Sequence, residues 1–483
     1  MYRRSLAFIL AALMLSASAC GGADTPADTT AAPDGTTSAA DTERPFYNVD
    51  GKNYEGYEFR IWNVDSEKEN KWTGIPDDID TETESGDVLN DAIYRRNLAV
   101  EEALNIKIVG TKMTNSKLST GIQQSIMAGT DEVDAVFPLL RFVSTYVSNG
   151  WLVDMHTVDS FDFSGPWWNA EAMESLEIGG RLYAAVSDIT HYDKLSANVT
   201  FVNSQVVEDY SIGDLPAMVR NGEWTLDAML KMGEAVSADV DQNGVRDKAD
   251  AYGISSQNDA VYVLLNSGGM RICDRDKDGN VVFSLTEERS VEALQRIYAL
   301  ITDKSQFFNR QDNSPCTIED AVEMFTQNRV LFMLRPVQSL FLMRNMQSDF
   351  TILPIPKLTA EQDGYHSAVN HWAGNFLCMP LSVKDVERSA VVLSLMACES
   401  HYGVTESLYE TVLGSKLIRD ESSAEMLDIV YDNLFFDTGL IWDFGGIATT
   451  LLKNRDTNVA SLLAANKSKV DAAIAALHES LEG

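Results

Sequence analysis

The chain has 483 residues, of which 45% are hydrophobic, and its 38 Lys+Arg against 72 Asp+Glu give a formal charge of −34. This composition excludes a disordered or collagen-like chain, and the length allows two or three domains with cores of their own. The acidic excess argues against binding to nucleic acid or to anionic lipid headgroups, since both require clustered basic residues.

The first 19 residues have the features of an export signal. A short basic start precedes the apolar run Leu6–Leu15, and small residues follow up to Cys20. The run is too short to span a membrane as a mature helix. A cysteine at this place resembles the lipidated cysteine of bacterial lipoproteins, which implies lipidation at Cys20. The alternative is ordinary cleavage after Ala19, which would leave Cys20 as a free thiol.

The next segment, 20–45, is predicted to be a flexible tether. Residues 21–44 contain no large aliphatic or aromatic side chain. Such a segment cannot bury enough apolar surface to offset the entropy lost on ordering. We therefore expect a folded body that begins near Phe46 and is connected to the export signal by this tether.

From residue 57 onward, short strand patterns alternate with helical ones. Tyr57–Trp62 has period-two character, and the apolar positions between Leu89 and Leu104 share one helical face. Asn105–Val109 is a second strand, and segments 135–137 and 182–186 are further strand candidates. This succession predicts an α/β fold with largely parallel sheets.

Later segments continue the alternation. Thr317–Asp320 has the pattern of a helix cap, and the prolines in Phe350–Pro356 favour extended backbone. An apolar face from Val459 to Leu481 predicts a C-terminal helix.

The remaining cysteines are widely spaced and include no CxxC pair: Cys273, Cys316, Cys378 and Cys398. Four buried thiols are the simpler interpretation. One or two disulfides remain open for an exported protein.

Several local motifs occur together and in one order. They are Gly86–Asn97, Pro166–Asn169, Ile178–Tyr183, Asn221–Thr225 and Asp349–Lys357. With the export signal and the tether, they resemble extracellular solute-binding proteins of family 1, the maltose-binding type. That family delivers carbohydrates to bacterial ABC importers.

The resemblance implies a two-lobe fold with the ligand in the cleft between the lobes. Lobe one would be 46–198 plus 366–430, and lobe two 199–365 plus 431–483. The resemblance also implies a monomer, anchored by lipid to the outer face of the cytoplasmic membrane, that closes by a hinge motion and docks on permease subunits.

A sugar site needs flat aromatic rings for the apolar sugar faces and polar groups for the hydroxyls. Four tryptophans are candidates for such rings: Trp167, Trp168, Trp372 and Trp442. For Trp167 and Trp168, which follow Pro166, the alternative to ligand binding is packing beneath a loop. The tryptophans at 62, 151 and 224 are expected in the core.

Four polar side chains just past predicted strands are candidates for hydrogen bonds to the ligand: Asn63, Asp65, Arg141 and Asp188. Open parallel sheets bind ligands at the carboxyl ends of their strands, which is where these residues are expected. The alternative for each is an ordinary solvated loop residue.

One loop has the ligand spacing of an EF-hand calcium site. The candidate ligands are Asp239, Asp241, Asn243, Val245 (through its carbonyl), Asp247 and Asp250. An Asp replaces the usual bidentate Glu at the last position, and a metal-free turn is equally open. The similar segment 274–280 is expected to be a hairpin turn, because Val281–Phe283 has strand character.

The sequence contains no HExxH, GxSxG or GxxxxGKS motif, and no cofactor besides the possible structural calcium is expected. The leading hypothesis is therefore a binding protein and not an enzyme. Two alternatives remain open: a secreted glycan hydrolase, whose paired carboxylates sequence cannot exclude, and a sensor or adhesin with the same fold.

Overall fold

Residues 45–65, 68–69, 79–413 and 421–482 are described by a computed structural model. They belong to one compact unit that begins at Pro45. The predicted export signal, Cys20 and all but the last residue of the predicted tether lie outside these ranges. None of the helices within them combines the length and apolarity that crossing a membrane requires.

The first sheet has three parallel strands in the order β2-β1-β3. Its strands and helices are β1 (Tyr57–Val64), α1 (Val88–Leu104), β2 (Ile106–Met113), α2 (Asn115–Ala128) and β3 (Ala135–Phe137). The Asp87 carboxylate starts α1 by accepting hydrogen bonds from the amides of Leu89 and Asn90. Gly129 ends α2 with a φ of 65°, a conformation that glycine adopts without strain.

The chain leaves this sheet and later returns to it. Three short helices follow: α3 (Val143–Ser148), α4 (Ala170–Leu176) and α5 (Tyr192–Leu195). Isolated bridges join Val136 to Cys378 and Ala185 to Leu377. The predicted strand 182–186 is therefore extended backbone and not a regular strand. Its partner is residues 369–380, the part of the chain that returns to the first sheet, which we call the return segment.

The second sheet has five strands in the order β10-β4-β9-β5-β8, in which β4 runs antiparallel to both neighbours. The strands in this region, with the hairpin β6–β7, are β4 (Asn198–Asn203), β5 (Tyr252–Ser256), β6 (Cys273–Arg275), β7 (Val281–Phe283), β8 (Phe307–Asn309), β9 (Val330–Pro336) and β10 (Phe350–Leu353). Its helices are α6 (Ser204–Asp209), α7 (Leu215–Arg220), α8 (Leu226–Val236), α9 (Ala260–Ser267), α10 (Glu288–Thr302) and α11 (Ile318–Thr326).

Helix α8 packs on β5 through two glycines. A Cβ added to Gly253 would lie 2.3 Å from the Cα of Gly233. The two backbones are therefore in direct contact: Gly253 has no room for a side chain, and a Cβ on Gly233 would lie only 3.1 Å from the Gly253 Cα.

The C-terminal part packs against elements of both sheets, and two of its segments pair with each other as a separate two-stranded parallel sheet. Its elements are β11 (Ser367–Ala368), α12 (Val386–Glu399), α13 (Thr405–Leu413), α14 (Glu421–Tyr431), β12 (Leu434–Phe435), α15 (Thr438–Trp442), α16 (Ile447–Lys453) and α17 (Val459–Glu482). Helices α12 and α13 pack on α1, but α14 packs on β10 of the second sheet. The lobe boundaries stay a prediction. The packing of α14 on β10 would place α14 in lobe two and move the predicted boundary from residue 430 to before residue 421.

The predicted α/β class is confirmed, and so are several local features. Thr317 and Asp320 form a reciprocal capping box at the start of α11. The segment 274–280 joins the hairpin strands β6 and β7. The four cysteines of the described residues are free, buried thiols. Trp224 is fully buried, and its indole N–H donates to the carbonyl of Pro354 at 2.9 Å.

Candidate functional site

Two of the predicted ligand residues, Arg141 and Trp372, lie against each other between the two sheets. Arg141 lies in a short 3-10 turn that follows β3, and its guanidinium carbon is 4.4 Å from the centre of the Trp372 ring. The turn is held in place because the Leu140 amide donates to the carbonyl of Gly374 at 3.0 Å. The Trp372 ring is 40% exposed, which leaves part of it available to a ligand.

The opposite side of this site comes from the second sheet and from the return segment. A small cavity is lined by Asn198, Asp259, Tyr262, Asn370, His371 and Trp372, among others. Asp259 stands directly before α9, and Asn370 donates to its carboxylate at 3.4 Å. The cavity has a volume of about 10 Å³, enough for about one water molecule. A sugar would therefore require the lining to move apart.

The titratable groups of the cavity are shifted towards their neutral forms. Burial, assisted by the charge of Arg141, lowers the pKa of His371 to about 3, so its imidazole is neutral at physiological pH. Burial also raises the pKa of the Asp259 carboxyl, while the positive charge of Arg335 opposes that rise.

Asn63 and Asp65, at the end of β1, are engaged in bonds within the protein. The Asn63 side-chain oxygen accepts a hydrogen bond from the amide group of Asn375 at 3.0 Å, which ties β1 to the return segment. Asp65 accepts hydrogen bonds from the backbone and side chain of Lys68. Burial raises the pKa of the Asp65 carboxyl, but Lys68 outweighs this effect, so the net pKa is lowered. Both residues are buried.

Asp188 lies in a buried network of charges. Its carboxylate is 2.8 Å from the Lys194 ammonium and 2.6 Å from Nδ1 of His401, while Lys194 also contacts Asp193 at 3.3 Å. A π-helical segment, Ser400–Val404, connects α12 to α13 and presents His401 to Asp188. Burial would raise the pKa of Asp188, but Lys194 and His401 lower it to about 2.

Trp167 and Trp168 are buried, at 4% and 5% exposure. The Trp168 ring packs edge-on against Phe161 and Phe163, at centroid distances of 5.9 and 5.1 Å. The Trp167 ring covers Gly165 so closely that a Cβ there would overlap it. Both side chains are therefore packed into the interior, and their role as a ligand platform stays a prediction.

Trp442 lies at a second, larger cavity. Its ring is nearly parallel to that of Phe444, at a centroid distance of 6.3 Å and an angle of 14°. The cavity has a volume of about 290 Å³ and is lined on its other side by polar residues of α3 and the residue after it: Ser144, Thr145, Ser148 and Asn149. Aromatic and polar residues in one lining are a chemistry that suits a sugar as well, but Trp442 and Phe444 are only 6% and 4% exposed.

The predicted calcium loop brings three carboxylates together. One oxygen each of Asp239, Asp241 and Asp250 lies within 4.8 Å of the others. Asp250 is fully buried, and its oxygens accept hydrogen bonds from the amides of Val240 (2.8 Å) and Asp247 (3.0 Å). Oxygen ligands this close fit the preference of Ca²⁺.

The other predicted ligands of that loop take part in turns. The Asn243 side-chain oxygen accepts from the Val245 amide at 2.6 Å, and the Asp247 carboxylate accepts from the Ala249 amide at 2.7 Å. The three clustered carboxylates are therefore the part of the predicted site that the fold has assembled.

Sequence reasoning missed Asp259 and Asn370 as members of the site. Asp259 lies three residues past the end of β5, much as Arg141 lies four residues past the end of β3. The rule that selects polar residues past strand ends could therefore have found it. Asn370 lies in a loop of the return segment, and no local pattern indicates its contact with Asp259.

No protein-family model matches the sequence, and no curated protein matches it either. Solved structures do. A cyclo/maltodextrin-binding protein in complex with maltotetraose is 13% identical, with a TM-score of 0.57 over 89% of this chain and 98% of that one.

Two further structures are similar to the same degree. The cyclic α-maltosyl-1,6-maltose-binding protein of Arthrobacter globiformis is 14% identical, with a TM-score of 0.55 over 87% of this chain and 99% of that one. An ABC substrate-binding protein of Listeria monocytogenes in complex with cycloalternan is 14% identical, with a TM-score of 0.54 over 88% and 99%. The chain therefore has the two-lobe fold of ABC substrate-binding proteins.

Proposed function

We propose that this chain is an exported binding protein that captures a carbohydrate between its lobes and delivers it to an ABC importer. One observation carries the proposal: Trp372, which is 40% exposed, lines a cavity together with Asp259 and Asn370, and the Arg141 guanidinium stacks on its ring. Aromatic ring, guanidinium, carboxylate and amide together match the faces and hydroxyls of a sugar. The structures of similar fold include complexes with maltotetraose and with cycloalternan.

The test is a thermal-shift screen of the purified full-length protein against mono- and oligosaccharides, with amino acids and peptides as controls. A ligand at 100 times its Kd should stabilise the fold by about 2.7 kcal/mol. We expect a shift with one class of glycan, and we expect that glycan to be recovered unchanged. Cleaved glycan would instead support a hydrolase, and a shift with peptides alone would exclude the carbohydrate assignment.

We propose further that Cys20 is lipidated and anchors a monomer to the outer face of the cytoplasmic membrane, where permease subunits take over the ligand. The short apolar run before Cys20 and the polar segment after it support this arrangement. Cys20→Ser should move the protein from the membrane fraction into the soluble fraction. An unchanged distribution would contradict the anchor.

We also propose that a structural Ca²⁺ is bound by Asp239, Asp241 and Asp250. The proximity of their carboxylates supports it. Ca²⁺ should raise the Tm relative to EGTA, Mg²⁺ should not replace it, and Asp241→Asn should remove the effect. Equal Tm values in Ca²⁺ and EGTA would favour a metal-free turn.

A further inference from the structure

Arg141 is a charged side chain without an anionic partner in the described part of the molecule. It is half-buried, and its guanidinium carbon lies over two rings, 4.4 Å from the centre of the Trp372 ring and 4.9 Å from that of Phe142. It forms no hydrogen bond or ion pair with any described residue. In a chain with 72 Asp+Glu and 38 Lys+Arg, carboxylates are the more abundant charged groups. That no described carboxylate pairs with Arg141 is therefore specific to this position and does not reflect a shortage of acidic residues.

The nearest acid does not neutralise Arg141. Burial lowers the pKa of its guanidinium, and the negative charge of Glu69 acts in the opposite direction. The Glu69 carboxylate, however, accepts a hydrogen bond from the Asn115 amide at 2.9 Å and forms no ion pair with Arg141. Because a guanidinium stays protonated under all physiological conditions, the positive charge persists.

The other groups that line the cavity do not supply a counter-charge. His371 is neutral, and the carboxylate of Asp259 faces the positive charges of Arg335 and Arg310. Among the residues that the structure describes, the site therefore presents a positive charge without a counter-charge, beside the partly exposed Trp372 side chain.

We infer that the ligand of this site is an anionic sugar whose acidic group pairs with Arg141 while its ring stacks on Trp372. The inference rests on the proposed function and specifies its substrate class. A guanidinium binds a carboxylate or a sulfate through two parallel hydrogen bonds, whereas a neutral hydroxyl leaves the charge unbalanced. A protein of charge −34 repels such a ligand at long range, so its recognition depends on a short-range contact of this kind.

The experiment is isothermal titration of the full-length protein with sugars that differ in charge. The probes are oligogalacturonate, its methyl ester, a sulfated galactan oligosaccharide without carboxylates, and the neutral maltotriose and cellotriose. The methyl ester keeps the sugar skeleton and removes the charge. We expect an anionic probe to bind, and its neutral counterpart to bind at least about 30-fold more weakly, as for loss of a desolvated charge pair. The titrations with oligogalacturonate and with the sulfated galactan oligosaccharide show whether the site binds a carboxylate or a sulfate.

Variants then locate the contact. Arg141→Gln should weaken binding of the anionic probe at least about 30-fold and leave the Tm nearly unchanged. Arg344→Gln is the matched control, because its guanidinium also stacks on a ring, that of Phe341 at 4.9 Å, but on the exposed surface. It should not affect binding.

The outcomes separate the inference from the function on which it rests. Tight binding of neutral sugars alone overturns the inference and leaves the proposed function intact. Binding of an anionic probe that Arg141→Gln does not change overturns the assignment to Arg141. No binding of any sugar overturns the proposed function and the inference together.

Discussion

Arg141 and Asp188 look alike in the sequence, as polar residues past predicted strands, but they have opposite surroundings in the structure. Asp188 is buried, and its carboxylate contacts the Lys194 ammonium and the His401 ring. Arg141 is half-buried against two rings and has no anionic partner among the described residues. A charge that the protein itself neutralises holds the fold together, while a charge left without a partner is available to a ligand. Substitution of Asp188 should therefore reduce the stability of the fold, whereas substitution of Arg141 should reduce ligand binding.

The largest effect is expected for Asp188→Asn. The substitution leaves the Lys194 ammonium buried with one carboxylate fewer, and breaking such a pair costs about 3 kcal/mol of unfolding free energy or more. Chemical denaturation measures this loss. Ligand affinity of the folded variant should stay unchanged, because Asp188 is bonded within the protein.

A matched control is the ion pair between Arg220 and Glu425, at 2.9 Å, in which both side chains are largely exposed. Glu425→Gln should leave the unfolding free energy within error, because exposed pairs contribute little. If Asp188→Asn were equally harmless and instead abolished ligand binding, the contrast between the two regions would be wrong.

Trp372→Ala should show the opposite behaviour. The ring is 40% exposed, so its loss should change the unfolding free energy by less than about 1 kcal/mol. Affinity for the ligand should fall at least about 30-fold, as for an aromatic side chain at the centre of a binding site. Titration calorimetry measures the affinity, and Tyr210→Ala, which removes another exposed ring (48%), is the control. If the variant keeps its affinity, the ligand does not bind at Trp372, and the second cavity beside Trp442 becomes the candidate site.

The contrast also shows where sequence reasoning succeeds and where it stops. The helix and strand succession, the Thr317 cap and the hairpin at 274–280 depend on neighbouring residues, and their patterns predicted them. The environment of Asp188 depends on His401, which lies 213 residues further along the chain. No local pattern indicates that contact, so the sequence could not distinguish Asp188 from Arg141.

The candidate site has the same limit. Arg141 and Trp372 were each predicted from local position, but their stacking depends on the return of the chain to the first sheet. Asn370 was missed for the same reason. The burial of Trp168 likewise depends on its packing against Phe161 and Phe163, which a Pro-Trp-Trp motif alone does not reveal.

The Asp188 network predicts a defined pH dependence. The folded-state pKa of about 2 lies below the model-peptide value of 3.8, so ionised Asp188 stabilises the fold at higher pH. That contribution is present above about pH 4 and disappears as the pH falls towards about 2. Unfolding experiments over this range should show a larger loss for the wild type than for Asp188→Asn. Parallel curves would indicate that folding does not lower the pKa of Asp188.

The smallest predicted effect concerns a contact between the hairpin β6–β7 and the helix α4. The Arg275 guanidinium donates to the carbonyls of Glu174, at 2.8 Å, and Glu177, which are at the end of α4. A cation at a helix C-terminus satisfies carbonyls that lack partners within the helix. The helix α4 belongs to predicted lobe one and the hairpin to predicted lobe two, so we expect this contact to favour the closed arrangement of the lobes.

Arg275→Ala should therefore weaken ligand affinity only a few-fold, because it removes stabilisation of the closed state but no contact with the ligand. The radius of gyration measured by X-ray scattering without ligand should increase and should return to the wild-type value at saturating ligand. Arg344→Gln again controls for loss of a surface guanidinium. An affinity loss as large as that of Trp372→Ala would instead place Arg275 in the site itself, and would show that a charge bonded within the protein can also contact the ligand.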